Sequence, residues 1–266
     1  MIRGKRVTAG LLAGIVIALP GALSADEPPS PASPSSMEPI RAIDQRCMTQ
    51  MKAMSDFLKG LNAFEFTTES DFDVVDVGDQ KLQFTRRMTV QVKRPDHLRA
   101  TSSGAEWNKS YYFDGKNVSL FDEDAKVYSR VEAPANIGQM LDHMSDTYGL
   151  SVPTGDFLYD DVFETLTEYV QQARYVGETM LDGKKCHHLA FRQDSVDWQI
   201  WIADGKEPLP LKLVVTYKDE PTSPQYVARF VEWKTKASFD AKQFEFVKRD
   251  DMVEAPMTPI QSADDE

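Results

Sequence analysis

Histidine and cysteine, the residues most used for metal binding and nucleophilic catalysis, are scarce: four and two in 266 residues. No pair of them recurs at the i, i+4 spacing of a helical ligand site, and no HExxH, GxSxG or Gly-rich phosphate loop occurs. Nothing in the sequence therefore implies a cofactor. Positive charge is also short. With a formal net charge of -12, the chain lacks the Lys and Arg excess that replaces counterions on nucleic acid, and anionic lipid surfaces should repel it. After the first twenty residues there is no apolar run long enough to span a bilayer. Stable membrane insertion is not expected.

What is present at the start is the pattern of an export signal. Arg3, Lys5 and Arg6 precede an apolar stretch from Val7 to Leu19, and Pro20 and Gly21 break it before the small residues up to Ala25. Residues 1–25 are read as a signal peptide and the mature protein as a soluble periplasmic one. Losing three positive charges brings it to about -15. Residues 26–39 are rich in Pro and Ser, with little to bury, and read as a disordered linker. Residues 40–253 are long enough for one domain with a substantial core, and 254–266 read as a flexible acidic tail. Cys47 and Cys186 are an even pair in an oxidising compartment, which favours a disulfide. The alternative is two buried thiols acting as small apolar groups.

Periodicity gives the elements. Ile40, Ile43, Cys47, Met51, Met54, Leu58 and Leu61 fall on one stripe of a helix that Gly60 should end. Alternation with period two follows, with Phe64, Phe66, Phe72 and Val74 on one face, then Leu82, Phe84, Met88, Val90 and Val92 after a Gly78-Asp79 turn. Short strands continue to Glu132, with Asp114-Gly115 as a hairpin signal. Two helices interrupt them, one carrying Ile137, Met140, Leu141, Met144 and Tyr148, the other Val162, Phe163, Leu166, Tyr169 and Val170. Six more strands run from Tyr175 to Val247, the last at Phe244–Val247. The fold class expected is α+β: one long antiparallel meander, strongly curved, with helices packed into its hollow.

Chemistry has few candidates. Cys186-His187-His188 is the only cluster, but successive strand residues point to opposite faces. Cys186 and His188 share a face, yet their stems stand roughly 6–7 Å apart, too far for the contact a thiolate–imidazole pair needs. A hydrolase or redox site at Cys186 and His188 is the minor reading. Asp71–Asp79 lacks an oxygen ligand at Val75 and has its glycine misplaced for a calcium loop. Aromatic and aliphatic stripes are the better lead: Phe84, Met88 and Val90 on one strand, and Trp198, Ile200 and Ile202 on another. Each is ordinary core or the wall of an apolar cavity.

Several blocks together resemble a family of predicted periplasmic proteins without an assigned activity. They are Asp182–Arg192 (DGKKCHHLAFR), Asp197–Ile202 (DWQIWI), Pro208–Lys212 (PLPLK) and Thr216–Lys218 (TYK), with Arg94–Arg99 (RPDHLR) and Tyr112–Gly115 (YFDG) in the N-terminal half. That family resembles the superfamily of outer-membrane lipoprotein carriers of the LolA, LolB and LppX type. The resemblance implies an incomplete antiparallel β-barrel with helices over its concave face and an apolar ligand space beneath them. It implies a lipid, acyl chain or lipidated protein as partner, and a carrier or sensor rather than an enzyme. The other reading is an envelope scaffold or interaction module with a filled core.

Overall fold

The computed structural model describes residues 43–104, 108–151 and 154–260. The signal, the linker, Ile40 and the end of the acidic tail lie outside the described residues. Helix α1 spans Gln45–Lys59. Asp44 caps it by accepting the Arg46 backbone N–H at 2.9 Å, and Gly60 follows its last turn. Cys47, Met51, Met54 and Leu58 form its buried stripe, at the spacing the sequence predicts.

Among the described residues, twelve strands form one open sheet. They are β1 (Ala63–Val75), β2 (Lys81–Lys93), β3 (His97–Gly104), β4 (Lys109–Phe113), β5 (Asn117–Asp122), β6 (Val127–Glu132), β7 (Gln172–Leu181), β8 (Lys184–Arg192), β9 (Val196–Ala203), β10 (Pro210–Tyr217), β11 (Gln225–Lys234) and the two-residue β12 (Val253–Glu254). Their order is β12-β6-β5-β4-β3-β2-β1-β11-β10-β9-β8-β7, and every pair except β12–β6 is antiparallel. The expectation of one continuous meander is corrected here. Two meanders, β1 to β6 and β7 to β11, are joined by pairing β1 with β11, which puts β6 and β7 at opposite sides of the sheet.

That topology places the helices. The chain leaving β6 must cross the width of the sheet to begin β7, and it does so through α2 (Ile137–Tyr148), a 3-10 turn (Gly155–Leu158) and α3 (Val162–Thr167). Asn136 and Asp161 cap α2 and α3. Gly149, at φ 65, ends α2 in the left-handed conformation that a side chain would strain. The Phe163 backbone N–H donates to Ser55 Oγ at 3.0 Å, tying α3 to α1. The buried core runs from these helices to the inward positions of the strands. The sheet thus wraps its helices as an incomplete barrel.

Inward positions follow from the register. They include Phe64, Phe66, Thr68, Ser70 and Phe72 on β1, and Phe84, Arg86, Met88, Val90 and Val92 on β2. Tyr111 and Phe113 on β4 and Val118 and Leu120 on β5 continue the face. On the other side of β1 it holds Trp198, Ile200 and Ile202, Leu213 and Val215, and Tyr226, Ala228 and Phe230.

One expectation near the C-terminus is corrected. Phe244–Val247 is not a strand. Asp240 and Gln243 form a reciprocal capping box that turns Ala241–Phe244 into a 3-10 helix, and Phe246 then packs beside Phe121, Tyr128 and Met252 on the outer face. The segment after 254 is held at two points. The Ala255 N–H donates to the Tyr128 carbonyl at 2.8 Å, and the Ile260 N–H to Thr147 at 2.9 Å. Residues 254–260 satisfy backbone groups that the short β6 edge and the end of α2 would otherwise leave open.

Candidate functional site

Where α2 covers β3 to β5, the side chains do not fill the hollow. Leu98, Phe113, Val118 and Leu120 from the sheet and Met140, Leu141 and Met144 from α2 surround a cavity of about 40 Å³, with Tyr111, Tyr112, Leu150 and Ser151 completing its lining. A space of that size holds about three water-sized groups. Its walls are chiefly aliphatic and aromatic, so water gains few partners there.

The six residues expected to line a ligand space all face inward, yet none lines this cavity. Met88, Val90, Trp198, Ile200 and Ile202 are at most 3% exposed within the packed core. Phe84 lies beyond it, stacked on Phe72 with ring centroids 6.0 Å apart. The difference lies in what covers each strand. Phe157 from the 3-10 turn seats edge-on against Phe230 at 5.3 Å, and Phe191 stacks on Trp198 at 4.0 Å. The cavity residues carried a partial signal: Met140, Leu141 and Met144 are the stripe of a predicted helix. Which strand stripe they would face depends on topology that periodicity does not contain.

Beyond Tyr111 the inner face becomes polar. Ser70 pairs with Arg86 across β1 and β2, and Ser70 Oγ lies 2.9 Å from the Tyr226 hydroxyl. The Arg86 guanidinium stands 5.2 Å from the centre of the Phe72 ring. Lys109 pairs with Asp122 at 2.5 Å. Burial pushes the Tyr111 phenol up, while the charges of Arg86 and Lys109 pull it back. Burial likewise raises Tyr226 against its hydrogen bonds with Ser70 and Arg86 and the Arg86 charge. Tyr217 is pushed up to about 12, chiefly by burial. All three phenols stay protonated at neutral pH.

The histidines behave as strand neighbours must. The Nδ1 of His187 is 2.8 Å from the Tyr175 hydroxyl and its Nε2 is 3.3 Å from Asp204. His188, on the outer face, stacks on Trp201 with centroids 4.0 Å apart and hydrogen-bonds Gln199 at 2.9 Å. Burial lowers the pKa of His188 and raises that of the Cys186 thiol, so the two do not form an ion pair at neutral pH.

The expected disulfide is corrected by the same geometry. Both cysteines are free and buried. Cys47 lies in the core under the concave face, whereas Cys186 pairs with Thr179 and Ala203 and points outward. The sheet stands between the two sulfurs. Burial pushes the Cys47 thiol up to about 12, so each cysteine acts as a small apolar group. Among the described residues, no group of three or more His, Cys, Asp or Glu is placed to hold a metal, and no helix is long and apolar enough to cross a membrane.

The family described as "Predicted periplasmic protein (DUF2092)" matches residues 48–256, and the chain belongs to it. No curated protein matches the sequence. Among solved structures, the chain is similar to an uncharacterized conserved protein from Thermus thermophilus at 11% identity and TM-score 0.48, over 80% of this chain and 99% of that one. It is similar to the lipoprotein LppX of Mycobacterium tuberculosis at 13% identity and TM-score 0.47, over 74% and 100% of the two chains. A LolA superfamily protein from Nitrosomonas europaea is similar at 10% identity and TM-score 0.40, over 74% and 96%.

Proposed function

We propose that this protein is a periplasmic carrier or sensor that seats the apolar chain of a lipid or lipidated protein between α2 and the concave face. The observation that carries this reading is the apolar cavity at Leu98, Phe113, Leu120, Met140 and Met144. At about 40 Å³ it admits only the end of an acyl chain. Seating more requires α2 to move outward. The two methionines suit that, because an unbranched thioether repacks around guests of different shape. Binding would remove apolar surface from water, at about 25 cal/mol per Å² before the costs of association.

A second reading, an envelope interaction module with no ligand, is favoured by the closely covered core elsewhere: Met51, Met54, Phe64, Phe66, Ile200 and Ile202 are wholly buried. Titrating delipidated protein with a fluorescent fatty acid separates the two. A carrier binds it, and Leu120→Trp, which fills the cavity from a half-buried position, removes binding while the protein stays folded. A module with no ligand space shows no binding by the unaltered protein.

A further inference from the structure

Among the described residues, the inner positions of β1–β6 and β9–β11 carry only three charged side chains: Arg86, Lys109 and Asp122. The other charges on these strands face outward or lie at their ends. In a chain of net charge -12, this inward patch has two cations and one carboxylate. It also lies next to the cavity. Lys109 is two residues from the cavity residue Tyr111 on β4, about 7 Å along the strand. Arg86 is two residues from Met88, which pairs through Ser102 with Lys109.

The surroundings of Arg86 supply hydroxyls as well as charge. Ser70 sits directly opposite it, with Tyr226 hydrogen-bonded to Ser70 at 2.9 Å. Thr68, next on the same face, is fully buried, and among the described residues its Oγ1 has no hydrogen-bond partner. A buried hydroxyl without a partner is unfavourable, and a ligand oxygen would offset that. Aromatic rings of Phe72 and Phe84 flank the patch on the side away from the cavity.

Resting on the carrier reading, we infer that this patch is a head-group site: Arg86, with Lys109 and the hydroxyls of Ser70, Tyr226 and Thr68, receives the carboxylate or phosphate of an amphiphile whose acyl chain lies under α2. A guanidinium suits both oxyanions because its paired N–H groups match their oxygens. The positive charge acting on Tyr111 is consistent with a cationic patch at the cavity. The ligand class is an acyl anion, not a neutral acylglycerol or alcohol.

The test compares palmitate, hexadecanol and a palmitoyl lysophosphatidate as competitors of a fluorescent fatty acid on delipidated protein. The unaltered protein should prefer at least one anion over the alcohol by about tenfold or more; which anion is preferred identifies the head, carboxylate or phosphate. Arg86→Gln should bring acid and alcohol to similar affinity with little change for the alcohol, Arg86→Lys should recover part of the preference, and Lys212→Gln on the outer face should leave it intact. Equal binding of acid and alcohol by the unaltered protein overturns the head-group site and leaves the carrier reading standing. So does a folded Arg86→Gln that keeps the preference, or a pair of Arg86 variants that lose acid and alcohol alike. Binding of none of the three overturns both.

Discussion

The backbone N–H of Ile260 donates to the carbonyl of Thr147 at 2.9 Å, so the last described residue of the chain is bonded to the last turn of the helix that covers the cavity. Between them, Val253 and Glu254 pair with β6 and Met257 packs on the core. The C-terminal segment is a strap from the outer face to α2. Deleting residues 256–266 should raise hydrogen exchange at the α2 amides and leave that of α1 unchanged. Equal protection of α2 with and without the strap would show that side-chain packing alone holds the helix.

Free, buried thiols on opposite faces predict a simple titration. A thiol reagent at neutral pH should react with neither Cys47 nor Cys186 in the folded protein and with both after denaturation, because burial raises each thiol and hides it. A reductant should leave the melting temperature unchanged. One thiol or none in the denatured, unreduced protein would contradict the arrangement.

Substitutions at filled and unfilled positions should part company. Val90→Trp enters a fully buried position between Phe66 and Ala100 and should cost roughly 1–3 kcal/mol, and Phe66→Ala should cost about 3–5 kcal/mol through the cavity it leaves. Leu120→Trp should cost much less than either, since the cavity receives the ring. Denaturant melts of the three variants measure this.

Acid should weaken the start of α1. The Arg46 side chain and backbone N–H hold the Asp44 carboxyl down at about 2, below its ordinary 3.8. Because the folded value is depressed, the stabilisation is present above the ordinary value and is lost as pH falls through about 2. Asp44→Asn, which keeps a capping oxygen, should flatten the fall in melting temperature across that window. An unchanged acid profile would assign the effect to other carboxylates.

Much of the architecture was legible because the physics is local. The stripe Cys47, Met51, Met54 and Leu58 fixes α1, and the alternation from Phe64 to Val92 fixes β1 and β2. The pairing of β1 with β11 was not legible, since it joins residues such as Phe66 and Trp233 across nearly the whole chain. The cavity depends on that topology too: Val90 and Ile200 face inward but lie away from the part of the sheet that α2 covers. Cys186 shows the same limit: its parity on β8 was readable, but the side of the sheet taken by Cys47 was not. The capping pair Asp240 and Gln243 was readable and outweighs the apolar alternation after Phe244.

The central claim is that an acyl chain occupies the space between α2 and β3–β5. It is tested most directly by native mass spectrometry of the protein purified from the periplasm without detergent. The account predicts a bound mass that denaturation releases as an acyl compound, absent from the Leu120→Trp protein. A bare polypeptide mass for the native protein, with no uptake of added fatty acid after delipidation, would contradict it.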